Sequence, residues 1–180
     1  FTRNKALYRK ISKSKTTPKS SRDFLIELER YAPYYRSMEY PEDNIVFQNE
    51  KLISHLKALQ ILKARSFYPV ILAMECSDRN YQEDEIALVA KEIETYLFRN
   101  ITICGKVANQ SEVFFAATAK KIYDGELDAT EEICQSIKAE MVSDAEFSAS
   151  FETWTPAKSE KEIARYVLSR IHRYLEKNHE

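Results

Sequence analysis

The sequence predicts an all-α protein, a single multi-helix domain of orthogonal or bundle-like packing with about seven helices. Three observations carry this. Only 2 glycines and 5 prolines occur in 180 residues, too few for the hairpins of an all-β fold or for a glycine-rich phosphate loop. Apolar residues recur at spacings of three and four along most of the chain, which is the period of one helix face. The segments are also punctuated by helix-start signals, a small polar residue with Glu three positions later. A hydrophobic content of 44% with 12% aromatics excludes disorder and low complexity for most of the chain. No internal repeat of fixed period is present, which argues against a solenoid.

The first predicted helix follows the Ser20-Ser21 cap, carries Phe24, Leu25, Leu28 and Tyr31, and stops before Pro33. Tyr34, Tyr35 and Tyr40 with Pro41 then read as an aromatic connection. The Glu42-Asp43-Asn44 signal opens a second helix with Leu52, Leu56 and Leu59 on one stripe. Tyr68-Pro69 introduces the apolar run Val70 to Met74; proline suits a first helical turn and no partner strand is in sight, so helix is favoured. Ile86, Val89, Ala90, Ile93 and Leu97 form the clearest face. Glu83, Asp84 and Glu85 stand at its start, where the helix dipole favours acids, and Gly105 is a left-handed stop after Cys104. A helix from Asn109 or Ser111 carries Phe115, Ala119 and Ile122 to Asp124-Gly125. Capping boxes Asp128/Glu131, Ser143/Glu146 and Ser159/Glu162 start three more, the middle one short and the last bearing Ile163, Val167, Ile171 and Tyr174.

Charge is unevenly distributed. Residues 1–22 hold eight basic side chains and no acid, leaving −9 on the remainder for an overall −1. The chain therefore divides into a basic arm or linker over 1–22 and a helical domain over 23–180. In that arm Arg9, Lys10, Lys13, Lys15, Lys19 and Arg22 are the candidate nucleic-acid contacts, because clustered cations meet phosphate; a solvated linker is the plainer reading. Three widely separated cysteines, Cys76, Cys104 and Cys134, suit neither a disulfide framework nor a clustered metal site, and point to a reducing, cytoplasmic compartment. No run of about 18 apolar residues is present to cross a membrane. The start at Phe1, with no initiator Met and no signal-peptide core, reads as a segment of something longer.

Chemistry-bearing constellations are sparse. His55, His172 and His179 have no His or Cys neighbour at ligand spacing, so neither metal nor cofactor is expected. His55 reads as a surface or satisfied half-buried residue of its helix. Cys104, beside Gly105-Lys106, is the one thiol with a nearby cation, and its plainer reading is a small buried hydrophobe. The Glu83–Glu85 acids read as helix caps before they read as a cation site. Arg99 is placed to bind helix-end carbonyls or an acid on a neighbour. The loop from Gly105 to Gln110 is either an anion-contacting turn or a helix-to-helix turn capped by Asn109.

Tyr68-Pro69-Val70-Ile71-Leu72-Ala73, the stretch from Ile93 to Gly105 with its Arg99-Asn100 and Cys104-Gly105 pairs, and Asn109 resemble the helical middle region of GmrSD-like bacterial restriction proteins. Glu162 to Ile171 is similar to the helix that leads into the HNH-type nuclease module of that family. The resemblance spans residues 20–178 and rests mostly on apolar and aromatic positions. It implies a modification-dependent, anti-phage endonuclease built of a ParB-like nucleotide-hydrolysing module, this helical region and a nuclease. No Asp-Gly-Gln-Gln-Arg-type motif and no His-x-x-Pro motif occurs in the sequence, so no catalytic residue of the family has a position here. Only Arg99, Cys104, Gly105 and Asn109 correspond to recurring family positions. The expectation is a non-catalytic scaffold or coupling module whose partners are flanking nuclease modules; the alternative is a DNA-binding module working through the basic arm.

Overall fold

The computed structural model describes residues 18–177, and among these every regular element is helical. Eight α-helices follow in order: α1 (Pro18–Glu39), α2 (Glu50–Ile61), α3 (Tyr68–Cys76), α4 (Glu83–Tyr96), α5 (Ala108–Tyr123), α6 (Thr130–Ala139), α7 (Asp144–Thr153) and α8 (Lys161–Lys177). A 3-10 turn, Pro41–Asp43, lies between α1 and α2, and a π-helical segment, Leu97–Ile103, prolongs α4. The all-α class and the multi-helix architecture are those the sequence predicts.

Helix α4 is the hub. Its predicted stripe, Ile86, Val89, Ala90 and Ile93, is wholly buried, packing beside Leu52, Leu56 and Leu59 of α2 and Ile133 and Ile137 of α6 in one core. Helix α3 lies against α5 and is buried on nearly all sides through Tyr68, Val70, Ile71, Ala73 and Met74, as a helix apolar all round must be. Each such Leu or Ile contributes about 1.5–3 kcal/mol on leaving water, so this core dominates the stability of the fold. A second, smaller cluster forms where Ala58 of α2 meets Tyr166 and Val167 of α8, with Phe98, Phe151 and Trp154 half-buried around it.

Several boundaries depart from the sequence reading. Helix α1 does not stop before Pro33 but runs through it to Glu39. Tyr34 packs on the core edge while Ser37 and Met38 are buried beyond the proline, and this packing outweighs the lost backbone bond. The expected stripe of α1 is not core either: Leu25 and Leu28 are exposed, and the buried residues of the helix, Ser37 and Met38, lie near its end. The Glu42-Asp43-Asn44 signal makes a turn rather than a helix start. The Asn44 side chain accepts from the amides of Val46 and Phe47 (3.2 and 3.0 Å) and donates to the Phe47 carbonyl at 2.7 Å, the local bonding that draws Asn away from helix. Asn49 is the true cap of α2, accepting from Lys51 and Leu52 at 3.0 Å.

Asn109 and Ser111 do not cap α5, which starts at Ala108 after Val107. Asp128 does not cap α6; its carbonyl accepts the Tyr81 hydroxyl at 2.7 Å and Ala129 precedes the helix. Ser143 does cap α7, accepting from the Glu146 amide at 3.2 Å, while α8 begins at Lys161, two residues after Ser159. Gly105 and Gly125 both take left-handed backbone, φ +62° and +73°, just past helix ends, as predicted for stop positions. On α8 Ile163 and Val167 are buried, but Ile171 and Tyr174 are exposed.

Candidate functional site

The site begins with one carboxylate. Glu94 follows Ile93 on α4, close enough to the core stripe to be buried, and it is the one fully buried charged side chain among the described residues. A charge there requires partners, and three donors supply them. His55 Nδ1 of α2 lies 2.6 Å from Glu94 Oε2, while the Tyr166 hydroxyl and the Arg170 guanidinium of α8 both donate to Oε1. Burial by itself would raise the Glu94 pKa. The hydrogen bonds from His55 and Tyr166 and the charge of Arg170 outweigh it and hold the carboxyl below its usual range. Burial, and then the Glu94 charge, push the Tyr166 phenol far up, so it stays a donor. Because an ionised carboxylate only accepts, His55 donates to Glu94 from Nδ1. One buried carboxylate thus joins α2, α4 and α8.

Beside this lock lies a cleft of about 340 Å³. Its walls are chiefly Phe98, Phe147, Phe151, Val167 and Ile171, and its polar groups include His55, Lys91, Glu94 and Arg170. The rings of Phe147 and Phe151 stack at 5.5 Å and 18°, and Phe151 and Trp154 at 6.3 Å and 7°, making a ladder of nearly parallel faces. Phe98 meets Tyr166 edge-on at 5.7 Å. No hydroxyl or thiol of the described residues is hydrogen-bonded to His55. No group of three His, Cys, Asp or Glu side chains among the described residues converges as metal ligands.

The π-helical segment fixes the opposite wall. Its widened turn, with the Cys104 amide donating to the Arg99 carbonyl at 3.0 Å, buries Asn100 and sends Arg99 toward α7. Asn100 donates to the Glu140 carbonyl at 2.8 Å and accepts from the Val142 amide at 3.0 Å. Arg99 donates to the Val142 carbonyl at 3.0 Å and to Asp144 at 2.6 Å, with its guanidinium 4.7 Å from the Phe147 ring centre. Together they clamp the start of α7 and so position the aromatic ladder. Of the four family-like positions, Arg99 is therefore a structural clamp, Cys104 a half-buried thiol ending the π turn, Gly105 the left-handed stop, and Asn109 an exposed residue in the first turn of α5. Among the four, the Cys104 amide bonded to the Arg99 carbonyl is a backbone contact of the π turn, and no side-chain hydrogen bond links them.

The remaining predicted positions scatter. Arg9, Lys10, Lys13 and Lys15 lie outside the described residues; Lys19 falls in the first turn of α1, and Arg22 is exposed on it. Each of the three acids has helix-start work. Glu83 accepts from the amides of Gln48 and Asn49 (2.8 and 2.5 Å), Asp84 from the Asn49 amide nitrogen at 2.8 Å, and Glu85 from the Gln82 amide at 2.9 Å and Thr130 at 2.8 Å. Glu83 also acts at a distance: burial, and then the Glu83 charge, raise Glu75 of α3 to about 7. His55 is the satisfied, half-buried residue the sequence suggests, but Glu94, Tyr166 and Arg170 were not read as its partners. The available signal was an acid beside an otherwise apolar helix face, paired with a Tyr and an Arg four residues apart on another. No protein-family model, no curated protein and no solved structure matches this chain.

Proposed function

We propose that this chain is a non-catalytic helical coupling module of a GmrSD-like DNA-restriction protein, with α8 as the element that moves. The observation that carries the reading is the Glu94 lock. Helix α8 meets the body through a small apolar cluster, Ala58, Tyr166 and Val167, and through one buried carboxylate. Such a joint has few apolar contacts to break and a polar network with discrete made and unmade states, which is what a rigid-body switch needs. Leu168 and Leu175 remain exposed on the outer part of α8, a face suited to an adjoining nuclease module of the same parent chain. Three free, half-buried cysteines fit a cytoplasmic setting, and no helix among the described residues is long and apolar enough to cross a membrane.

The decisive test is the coding DNA on both sides of Phe1 and Glu180. An upstream Asp-Gly-Gln-Gln-Arg-type motif with a downstream His-x-x-Pro motif is expected. An initiator just before Phe1 and a stop soon after Glu180 overturn the reading.

A second reading, DNA binding through Arg9, Lys10, Lys13, Lys15, Lys19 and Arg22, is favoured by one observation, the eight cations without an acid in residues 1–22. Neutralising roughly six phosphates gives a log–log salt slope near about −5, which charge reversal in the arm flattens. Negligible affinity for duplex DNA at low salt removes it.

A further inference from the structure

The cleft beside Glu94 has features that a mere packing defect would not need. Its volume of about 340 Å³ lies at the low end of the roughly 300–1,000 Å³ of small-molecule sites, and apolar walls with a few convergent polar groups are the usual make-up of such sites. Size therefore restricts an occupant to a compact molecule. The walls restrict its character: Phe98, Phe147 and Phe151 line the cleft, the faces of Phe151 are taken by Phe147 and Trp154, and ring edges left to the cleft favour the face of a flat aromatic body by edge-to-face contact.

Charge selects the head group. The fixed charges lining the cleft are Lys91, Arg170 and Glu94, a balance of +1. Glu94 is already saturated by His55, Tyr166 and Arg170, whereas Lys91 is exposed and enters no ion pair among the described residues. The uncommitted potential is positive, so an anion is favoured over a neutral or cationic head.

We propose that the cleft between α4, α7 and α8 is a binding site for a planar aromatic carboxylate of one or two rings. The ring body lies against Phe147 and Phe151, and the carboxylate takes its charge partner from the Lys91 ammonium, with the outer edge of the Arg170 guanidinium beside it. The inference stands apart from the coupling reading, since the site is complete within the described residues of this one chain.

The chain carries its own reporter. Its single tryptophan, Trp154, stacks on Phe151. The test is titration of the full 180-residue chain with naphthalene-2-carboxylate, following tryptophan fluorescence, with heat measured in parallel. A saturable 1:1 response is expected, about tenfold stronger for the carboxylate than for naphthalene-2-methanol, as one charge-assisted contact warrants. Lys91→Ala, a surface change that leaves the fold intact, should remove that tenfold preference without altering the neutral probe. Phe151→Leu should weaken both probes. No saturable response, equal affinity for the two probes, or binding indifferent to Lys91→Ala overturns the proposal.

Discussion

Helices α2 and α4 face two neighbours at once, each other and α8, and the two interfaces are built from opposite materials. Between α2 and α4 the contact is apolar: Leu52, Leu56 and Leu59 against Ile86, Val89 and Ile93, all at 0% exposure. Toward α8 the same helices offer Ala58, His55 and Glu94, and the hold combines two apolar side chains with a hydrogen-bonded charge cluster. The apolar interface is non-directional and indifferent to protonation. The polar one is directional and conditional, because removing Glu94 takes the shared acceptor from His55, Tyr166 and Arg170 together. Stability of the domain and attachment of α8 are thus separable properties of one pair of helices.

The largest test of that separation is Leu56→Ala. It deletes fully buried methyls from the inner interface and should cost about 2–5 kcal/mol, seen as a lower urea midpoint of the whole domain and loss of hydrogen-exchange protection throughout α2 to α6. Glu94→Gln should cost less, about 1–2 kcal/mol, since Arg170 is partly exposed and re-solvates when its acid is gone. Its expected signature is local: amides of α8 lose protection while those of α3 and α5 keep theirs. If both variants unfold the molecule uniformly, the two interfaces are one cooperative unit and the comparison fails.

A third test is the pH profile, where the two regions carry opposite signs. Glu75, by the inner core, is raised from 4.5 to about 7 by burial and by Glu83. The folded chain holds that proton more tightly than the unfolded one, so the stabilisation is full below about pH 4.5 and fades as the pH rises to about 7. Glu94 is held below 4.5, so its contribution is present above that value and is lost as the pH falls through its folded pKa. Above about pH 5.5, where Glu94 is ionised in both the folded and the unfolded chain, urea midpoints should therefore decline toward neutrality, and Glu75→Gln should flatten that decline. A profile unchanged by Glu75→Gln would mean that Glu75 is solvated.

The inner core was legible in the sequence because periodicity is a local signal: the α4 stripe, the α2 leucines and the helix opened by Tyr68-Pro69 all lie where spacing puts them. Starts and stops were less legible. Pro33 and the Asn44 turn defeated local rules because Ser37, Met38 and Phe47 are buried, and burial is decided by residues distant in sequence. The cleft was the least legible. His55, Glu94, Tyr166 and Arg170 are separated by up to 115 positions, and no spacing rule joins an acid on one helix to donors on two others. The π turn was also invisible as a pattern, although Arg99 and Asn100 were singled out, because its cause lies in the backbone groups of Glu140 and Val142 that Asn100 and Arg99 bind.

Both glycines of the chain end helices with positive φ, and a Cβ built on either meets nothing within 4 Å. The demand at Gly105 and Gly125 is thus for handedness and not for room. A mirror-image residue satisfies it: D-alanine placed there by chemical synthesis keeps the native torsion and narrows the choices of the unfolded backbone, a gain of about 0.4–1 kcal/mol per site if it matches a compatible Gly→Ala change. L-alanine at the same two positions would be strained in open space, so chirality alone would separate a stabilised protein from a weakened one.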